Sequence, residues 1–195
     1  TGPLADNIGL QSGGWTIQWQ GAPDPAGSRL TPGVSILEGL KATAAGMGAT
    51  IITDPARAKE CKVAVVVVGE TPYAEGVGDI NGYGDMTLGD GGKMAAGNLE
   101  AIDTARKAGL PVVVVLVSGR PLVVTQELPK WNALVAAWLP GSEAGAMADV
   151  LFGKENFKGK LPMTWPRDVG SLPVNVGDKD LAAKKPLFPY GFGLT

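Results

Sequence analysis

The sequence predicts an α/β domain built on a mostly parallel sheet, and three observations carry that reading. Two runs, Lys62–Val68 and Pro111–Val117, are apolar and β-branched at almost every position. A strand wetted on one face alternates in polarity, so these are strands covered on both faces. Segments with helical spacing of apolar residues lie between and around them, the order expected of α/β layers. Turn residues are abundant, with 29 glycines and 15 prolines in 195 residues, which suits many tight loops on a compact scaffold. The predicted architecture is an α/β sandwich with flavodoxin-like layers, followed by an irregular Pro- and Gly-rich C-terminal tail.

Taken along the chain, Val34–Ala45 follows Thr31-Pro32-Gly33 and sets Ile36, Leu37, Leu40 and Ala44 on one helical stripe. Ala49–Thr53 is a weaker strand candidate, and Lys62–Val68 is the first strong one. A long loop then runs from Gly69 to about Gly92. Met94–Ala108 repeats the helical device with Leu99, Ile102 and Ala105, and stops at Gly109 before Pro111. After Pro111–Val117 comes a second weaker strand candidate, Leu134–Trp138. Ser142–Phe152 reads as a helix with Ser142 as its cap, Glu143 beside its positive end and Gly153 as its stop. The tail begins at Gly159, with Leu161–Trp165 as a possible added strand. No repeat is visible at a period of about 20–50 residues.

Charge and composition exclude several functions. The formal net charge is −2, from 17 basic and 19 acidic residues, and no basic run exceeds Lys184-Lys185. A nucleic-acid partner needs a positive face, so none is expected. The longest apolar runs fall far short of the ~20 residues that span a bilayer, so no membrane partner is expected either. With no histidine, the chain cannot hold a Ser-His-Asp triad, a Cys-His pair or a His-ligated metal. A lone Cys61 forms no internal disulfide and no CxxC site. Phosphate-loop patterns fail too. None of Gly92-Lys93, Gly153-Lys154 and Gly159-Lys160 continues to Ser or Thr, and GxGxxG starting at Gly76 breaks at Asn81. A nucleotide-binding module therefore stands only as an analogy of fold. A calcium loop drawn from Asp79, Asn81 and Asp90 has Tyr83 at a ligand position and no flanking helices. Neither a metal nor a cofactor is expected.

Ligands of open α/β sheets sit beyond the carboxyl ends of the strands, which directs attention to the loops after Val68, Val117 and Trp138. The first of these is the long one and carries Glu70, Glu75, Asp79, Asp85 and Asp90. A loop of that length without structure of its own is usually functional. Without histidine, acid–base work near neutral pH falls to a carboxyl whose pKa its site has raised. Glu70 ends the strand directly. Glu75 follows Thr71-Pro72-Tyr73, where a proline and an aromatic fix and cover the loop. These residues leave two readings open, solvated loop carboxylates or a working acid. The same holds near the N-terminus, where Gly13-Gly14-Trp15-Thr16-Ile17-Gln18-Trp19-Gln20 sets two tryptophans four apart. They either pack onto the sheet or offer a flat apolar platform to a sugar ring.

Seven blocks in order resemble the second domain of family 3 glycoside hydrolases. The first is Leu4-Ala-Asp-Asn-Ile-Gly-Leu-Gln-Ser-Gly-Gly-Trp-Thr-Ile-Gln-Trp-Gln-Gly21, and the second Val68-Gly-Glu-Thr-Pro-Tyr-Ala-Glu-Gly-Val-Gly-Asp79. Then come Ser118-Gly-Arg-Pro121, Trp138-Leu-Pro-Gly-Ser-Glu143 and Ala148-Asp-Val-Leu-Phe-Gly153. Gly159-Lys-Leu-Pro-Met-Thr-Trp-Pro166 and Phe188-Pro-Tyr-Gly-Phe-Gly-Leu194 complete the set. The resemblance spans 1–195 as one C-terminal domain. It implies a preceding (β/α)₈ barrel, absent from this chain, that supplies the nucleophile and most contacts to the terminal glucose. It assigns the catalytic acid/base to Glu75 and a substrate-binding, leaving-side sugar platform to Trp15, in a retaining, exo-acting β-glucosidase. Its substrate would be a β-glucoside or β-glucan oligosaccharide, and its setting periplasmic or extracellular.

Some positions depart from the family pattern. Leu4 stands where relatives often carry His, Ser12 where they often carry Cys, and Leu88-Gly-Asp-Gly-Gly-Lys93 lacks a Leu-Pro step. None is Glu75 or Trp15. Three further expectations follow. Trp19 packs in the core. The sheet lacks a strand beside Lys62–Val68 or its neighbour, and this open edge makes the chain alone associate. The chain alone is inactive without the barrel. A different class of function also fits this scaffold, a non-catalytic carbohydrate-binding or interaction domain.

Overall fold

A computed structural model describes residues 1–80, 86–89 and 93–194. Three parallel strands form its sheet in the order β1 (Ala64–Gly69), β2 (Val112–Val117) and β3 (Ala133–Trp138). Val66 lies opposite Val114, and Val114 opposite Leu134. The valine runs of β1 and β2 make sense because successive side chains enter different cores. Val66, Val68, Val114 and Leu116 pack on one face with Ile102, Ala105, Leu122, Trp131 and Trp165. Val67, Val115 and Val117 pack on the other with Leu4, Leu10, Ile36, Leu40 and Ala148. The predicted α/β sandwich is the observed fold.

The second face is covered by α1 (Ile8–Ser12), α2 (Ile36–Gly46) and α4 (Met147–Leu151). A reciprocal capping box starts α2. The Ser35 hydroxyl accepts from the Glu38 N–H, and the Glu38 carboxylate accepts from the Ser35 N–H. Where α2 crosses the turn at Ala144–Ala146, a Cβ on Gly39 would lie 2.3 Å from the Gly145 Cα, so glycine sets this approach. That turn and α4 replace the single predicted helix. Ser142 does not cap it: the residue before the turn is Glu143, which makes no side-chain cap bond, and the Ser142 carbonyl accepts from the Val34 N–H.

On the first face, α3 spans Asn98–Lys107 and begins four residues later than its periodicity predicts. The preceding residues are drawn to the end of β1: Met94 bridges Glu70, and the Ala95 N–H donates to the Gly69 carbonyl. The buried Asn98 side chain accepts from the Gly69 N–H and donates to its carbonyl.

Three strand expectations need correction. Ala49–Thr53 forms no strand, and the edge of β1 is not open. Thr1 nitrogen donates to the Val65 carbonyl, the Val67 N–H to the Thr1 carbonyl, and the Leu4 N–H to the Val67 carbonyl. With Asn98 holding Gly69, these groups occupy the outer edge of β1 and leave no place there for Thr50-Ile51-Ile52. Likewise Leu161–Trp165 joins no sheet; it bonds antiparallel to the tail, with Trp165 opposite Phe188. Trp165 is fully buried and donates its indole N–H to the Leu122 carbonyl at 2.7 Å, which fastens the tail, including the short α5 (Leu181–Lys184), over the sheet. Among the described residues, no helix is long and apolar enough to cross a membrane.

Candidate functional site

The loops after β1 and β2 meet through a buried ion pair. Glu70 continues β1, its N–H donating to the Val117 carbonyl, and it is only 4% exposed. Arg120 comes from the loop after β2. Its Nε donates to Glu70 Oε1 at 2.9 Å, while Glu70 Oε2 accepts from the Tyr73 hydroxyl at 3.1 Å and the Gly119 N–H at 3.2 Å. The guanidinium lies 4.3 Å from the Tyr73 ring centroid, close enough for cation–π attraction. Burial pushes the Glu70 carboxyl above its usual range, against the pull of Arg120 and the other two donors. Burial and the neighbouring Glu70 push the Tyr73 hydroxyl up to about 12. Tyr73 therefore stays protonated and remains a hydrogen-bond donor.

Glu75 contrasts with Glu70 in every respect. It opens a short 3₁₀ turn, Glu75–Gly78, and is exposed. Its φ of +51° places a non-glycine residue in the left-handed region. Among the described residues, its carboxylate has no hydrogen-bond or ionic partner. Its backbone is held on both sides. Arg120 Nη1 donates to the Gly78 carbonyl at 2.6 Å, and the Ala74 N–H donates to Gln20 Oε1 at 2.8 Å.

The second of those bonds joins the two predicted site segments. Residues Gly13–Gly21 form a loop closed by the Trp15 N–H donating to the Trp19 carbonyl at 3.0 Å. A Cβ on Gly14 would lie 2.1 Å from the Tyr73 carbonyl oxygen, so the tryptophan loop lies directly against the Glu75 loop. Trp15 is 67% exposed and Trp19 58%, their ring centroids 6.2 Å apart. Packing onto the sheet is thus not the role of either ring, and the core assignment for Trp19 is overturned. Trp15 and Ile17 both take φ of +62°, which turns this loop outward. The crevice between the loops, lined by Gly14, Glu70, Tyr73, Gly119 and Leu139, has room for little more than water.

Sequence reasoning named Glu75 and Trp15 and saw Tyr73 as a cover for the loop, but it missed Arg120 and Gln20 and left Glu70 between a solvated carboxylate and a working acid. A signal for Arg120 existed: it lies three residues beyond Val117, at the strand end where ligands of such sheets gather. Asn81, Asp85 and Asp90, named with the acidic loop, lie outside the described residues.

A sequence model of the glycosyl hydrolase family 3 C-terminal domain matches residues 1–195. The "lysosomal beta glucosidase" of Dictyostelium discoideum is 34% identical over 217 residues, covering 100% of this chain and 25% of the relative. The "periplasmic beta-glucosidase" of Salmonella typhimurium is 32% identical over 158 residues, covering 71% of this chain and 20% of the relative. The crystal structure of an exo-1,3/1,4-beta-glucanase from a Pseudoalteromonas species superposes with a TM-score of 0.81 at 36% identity, over 100% of this chain and 24% of that one. The chain thus spans a quarter or less of the length of these relatives.

Proposed function

Because the chain belongs to the glycosyl hydrolase family 3 C-terminal domains, we propose that it completes the active site of a retaining, exo-acting β-glucosidase. Glu75 is the acid/base and Trp15 the platform for the leaving-side sugar. The observation that supports this reading most is the pairing of the two loops: an exposed carboxylate, free of partners among the described residues, beside an exposed tryptophan, joined by Gln20 and Ala74. Glu70 is the poorer candidate, since both its oxygens are already engaged.

In a retaining reaction a carboxylate nucleophile attacks the anomeric carbon while the second carboxylic acid gives its proton to the departing oxygen. The same group, now a carboxylate, takes a proton from the water that breaks the glycosyl ester. The two carboxyl groups of such a pair stand about 5–5.5 Å apart. Here the nucleophile and the terminal sugar's pocket belong to the barrel domain of the longer polypeptide, and the substrate is a β-glucoside or β-glucan oligosaccharide. The described crevices are too small for a sugar ring, in keeping with a site shared between domains. The periplasmic relative supports a periplasmic or extracellular setting.

In the full-length protein, Glu75→Ala is expected to lower kcat/KM for cellooligosaccharides by about 10²–10⁴. A dinitrophenyl β-glucoside, whose leaving group needs no proton, should retain kcat/KM within about tenfold. Azide should raise its turnover by releasing the glycosyl-enzyme as a β-glucosyl azide. Equal losses on both substrates would reject the assignment. Unaltered hydrolysis of both, with weakened oligosaccharide binding in Trp15→Ala, would point instead to a non-catalytic sugar-binding domain.

A further inference from the structure

We propose that Arg120, held by Glu70, is a positioning residue for Glu75, fixing the turn that presents the acid/base carboxyl; this rests on the reading of Glu75 given above. A carboxyl that must first give and then take a proton has to keep its place through two chemical steps, and displacement of about 1 Å can cost about 10²-fold in rate. Yet Glu75 is exposed, and among the described residues its side chain has no partner to steady it. Its left-handed backbone is a strained one that persists only when the surroundings impose it. The restraint must therefore come through the main chain.

One guanidinium connects the relevant points. Arg120 Nε binds Glu70, whose other oxygen holds the Tyr73 hydroxyl, two residues before Glu75. Arg120 Nη1 binds the Gly78 carbonyl, three residues after it. The Arg120 plane rests on the Tyr73 ring, and a Cβ on Gly78 would lie 2.5 Å from that ring, so the two shoulders of the turn are in contact. Glu70 itself is anchored to the sheet by its N–H bond to Val117 and its bridge to Met94. The turn is thus referred to the ends of β1 and β2, paired strands buried between the two cores. Such support is what a catalytic group on a loop requires. Lysine in place of Arg120 keeps the charge opposite Glu70 but has no fork with which to reach Gly78 at the same time.

The test uses the full-length enzyme, with Arg120→Lys and the milder Tyr73→Phe. The first should lower kcat/KM for cellobiose about ten- to a hundredfold, and the second about three- to tenfold. Both should leave kcat/KM for the dinitrophenyl glucoside within about threefold, because that leaving group needs no proton. Arg120→Lys added to Glu75→Ala should cost nothing more on cellobiose, since its effect passes through a carboxyl already removed. A uniform loss on both substrates that follows the fall in Tm, or a further full loss in the double variant, would overturn the positioning role. If Glu75→Ala shows no leaving-group selectivity, the acid/base assignment fails and takes this inference with it. If Glu75→Ala is selective and neither support variant is, the positioning inference alone fails.

Discussion

Trp15 and Trp19 are ring neighbours that both stand largely in solvent, and solvent exposure decides what their removal costs. Trp19→Ala should change stability by no more than about 0.5 kcal/mol, the scale of ordinary surface substitutions. Trp15→Ala should weaken transition-state binding of oligosaccharides by about 1–3 kcal/mol, the worth of one large apolar face, and barely affect a small aryl glucoside. Urea melts and a chain-length series of substrates check the two halves, and equal losses on short and long substrates would count against the platform. At this scale the sequence was half legible. Glu75 and Trp15 sit in contiguous motifs that can be recognised as strings. Glu70 and Arg120 are 50 residues apart in the chain, and no local pattern announces that two charges will be buried against each other.

The short helix α1 owes its start to a distant carboxylate. Asp24 accepts from the N–H groups of Ile8, Gly9 and Leu30, so it satisfies the first two donors of α1 and ties down the chain that leads into α2. Burial pushes its carboxyl up, but these donors and Arg29 outweigh it and hold it below the usual range. Folding therefore favours the ionised form. The stabilisation is present above the ordinary carboxylate range and is lost as pH falls through the lowered value. Asp24→Ala should cost about 2 kcal/mol at neutral pH. Asp24→Asn should flatten the acid limb of stability against pH; an unchanged limb in urea melts would refute this. Elements were legible where burial on both faces wrote itself into composition, as in β1 and β2. They were misread where partners decide. Thr50-Ile51-Ile52 has the residues of a strand but no free edge. Met94–Gly97 has helical spacing but is drawn to the end of β1.

For the molecule as a whole, the edge that composition leaves open is closed by the chain's own first residues. The outward-facing groups of Val65 and Val67 are bonded to Thr1 and Leu4, and a Cβ on Gly2 would lie 2.2 Å from the Val67 carbonyl oxygen. An unpaired edge is therefore not a reason for residues 1–195 to associate. Deleting Thr1–Leu4 should create one, and light scattering should then show more self-association than in the undeleted chain. Residues 1–195 alone should give no turnover of a dinitrophenyl β-glucoside; measurable hydrolysis would place the nucleophile within this chain and refute the shared site.

The anchor at Gly78 has a consequence for how such a domain can diversify. Among the described residues, the bonds that steady the turn at Glu75 come from within the loop as far as Asp79, whose N–H donates to the Gly76 carbonyl, and from other elements. On the proposed reading of Glu75, the length and composition of the loop after this turn can drift while the acid/base carboxyl keeps its address. If Glu75 is the acid/base, a single arginine bond to Gly78 marks how much of this loop must be kept for its chemistry.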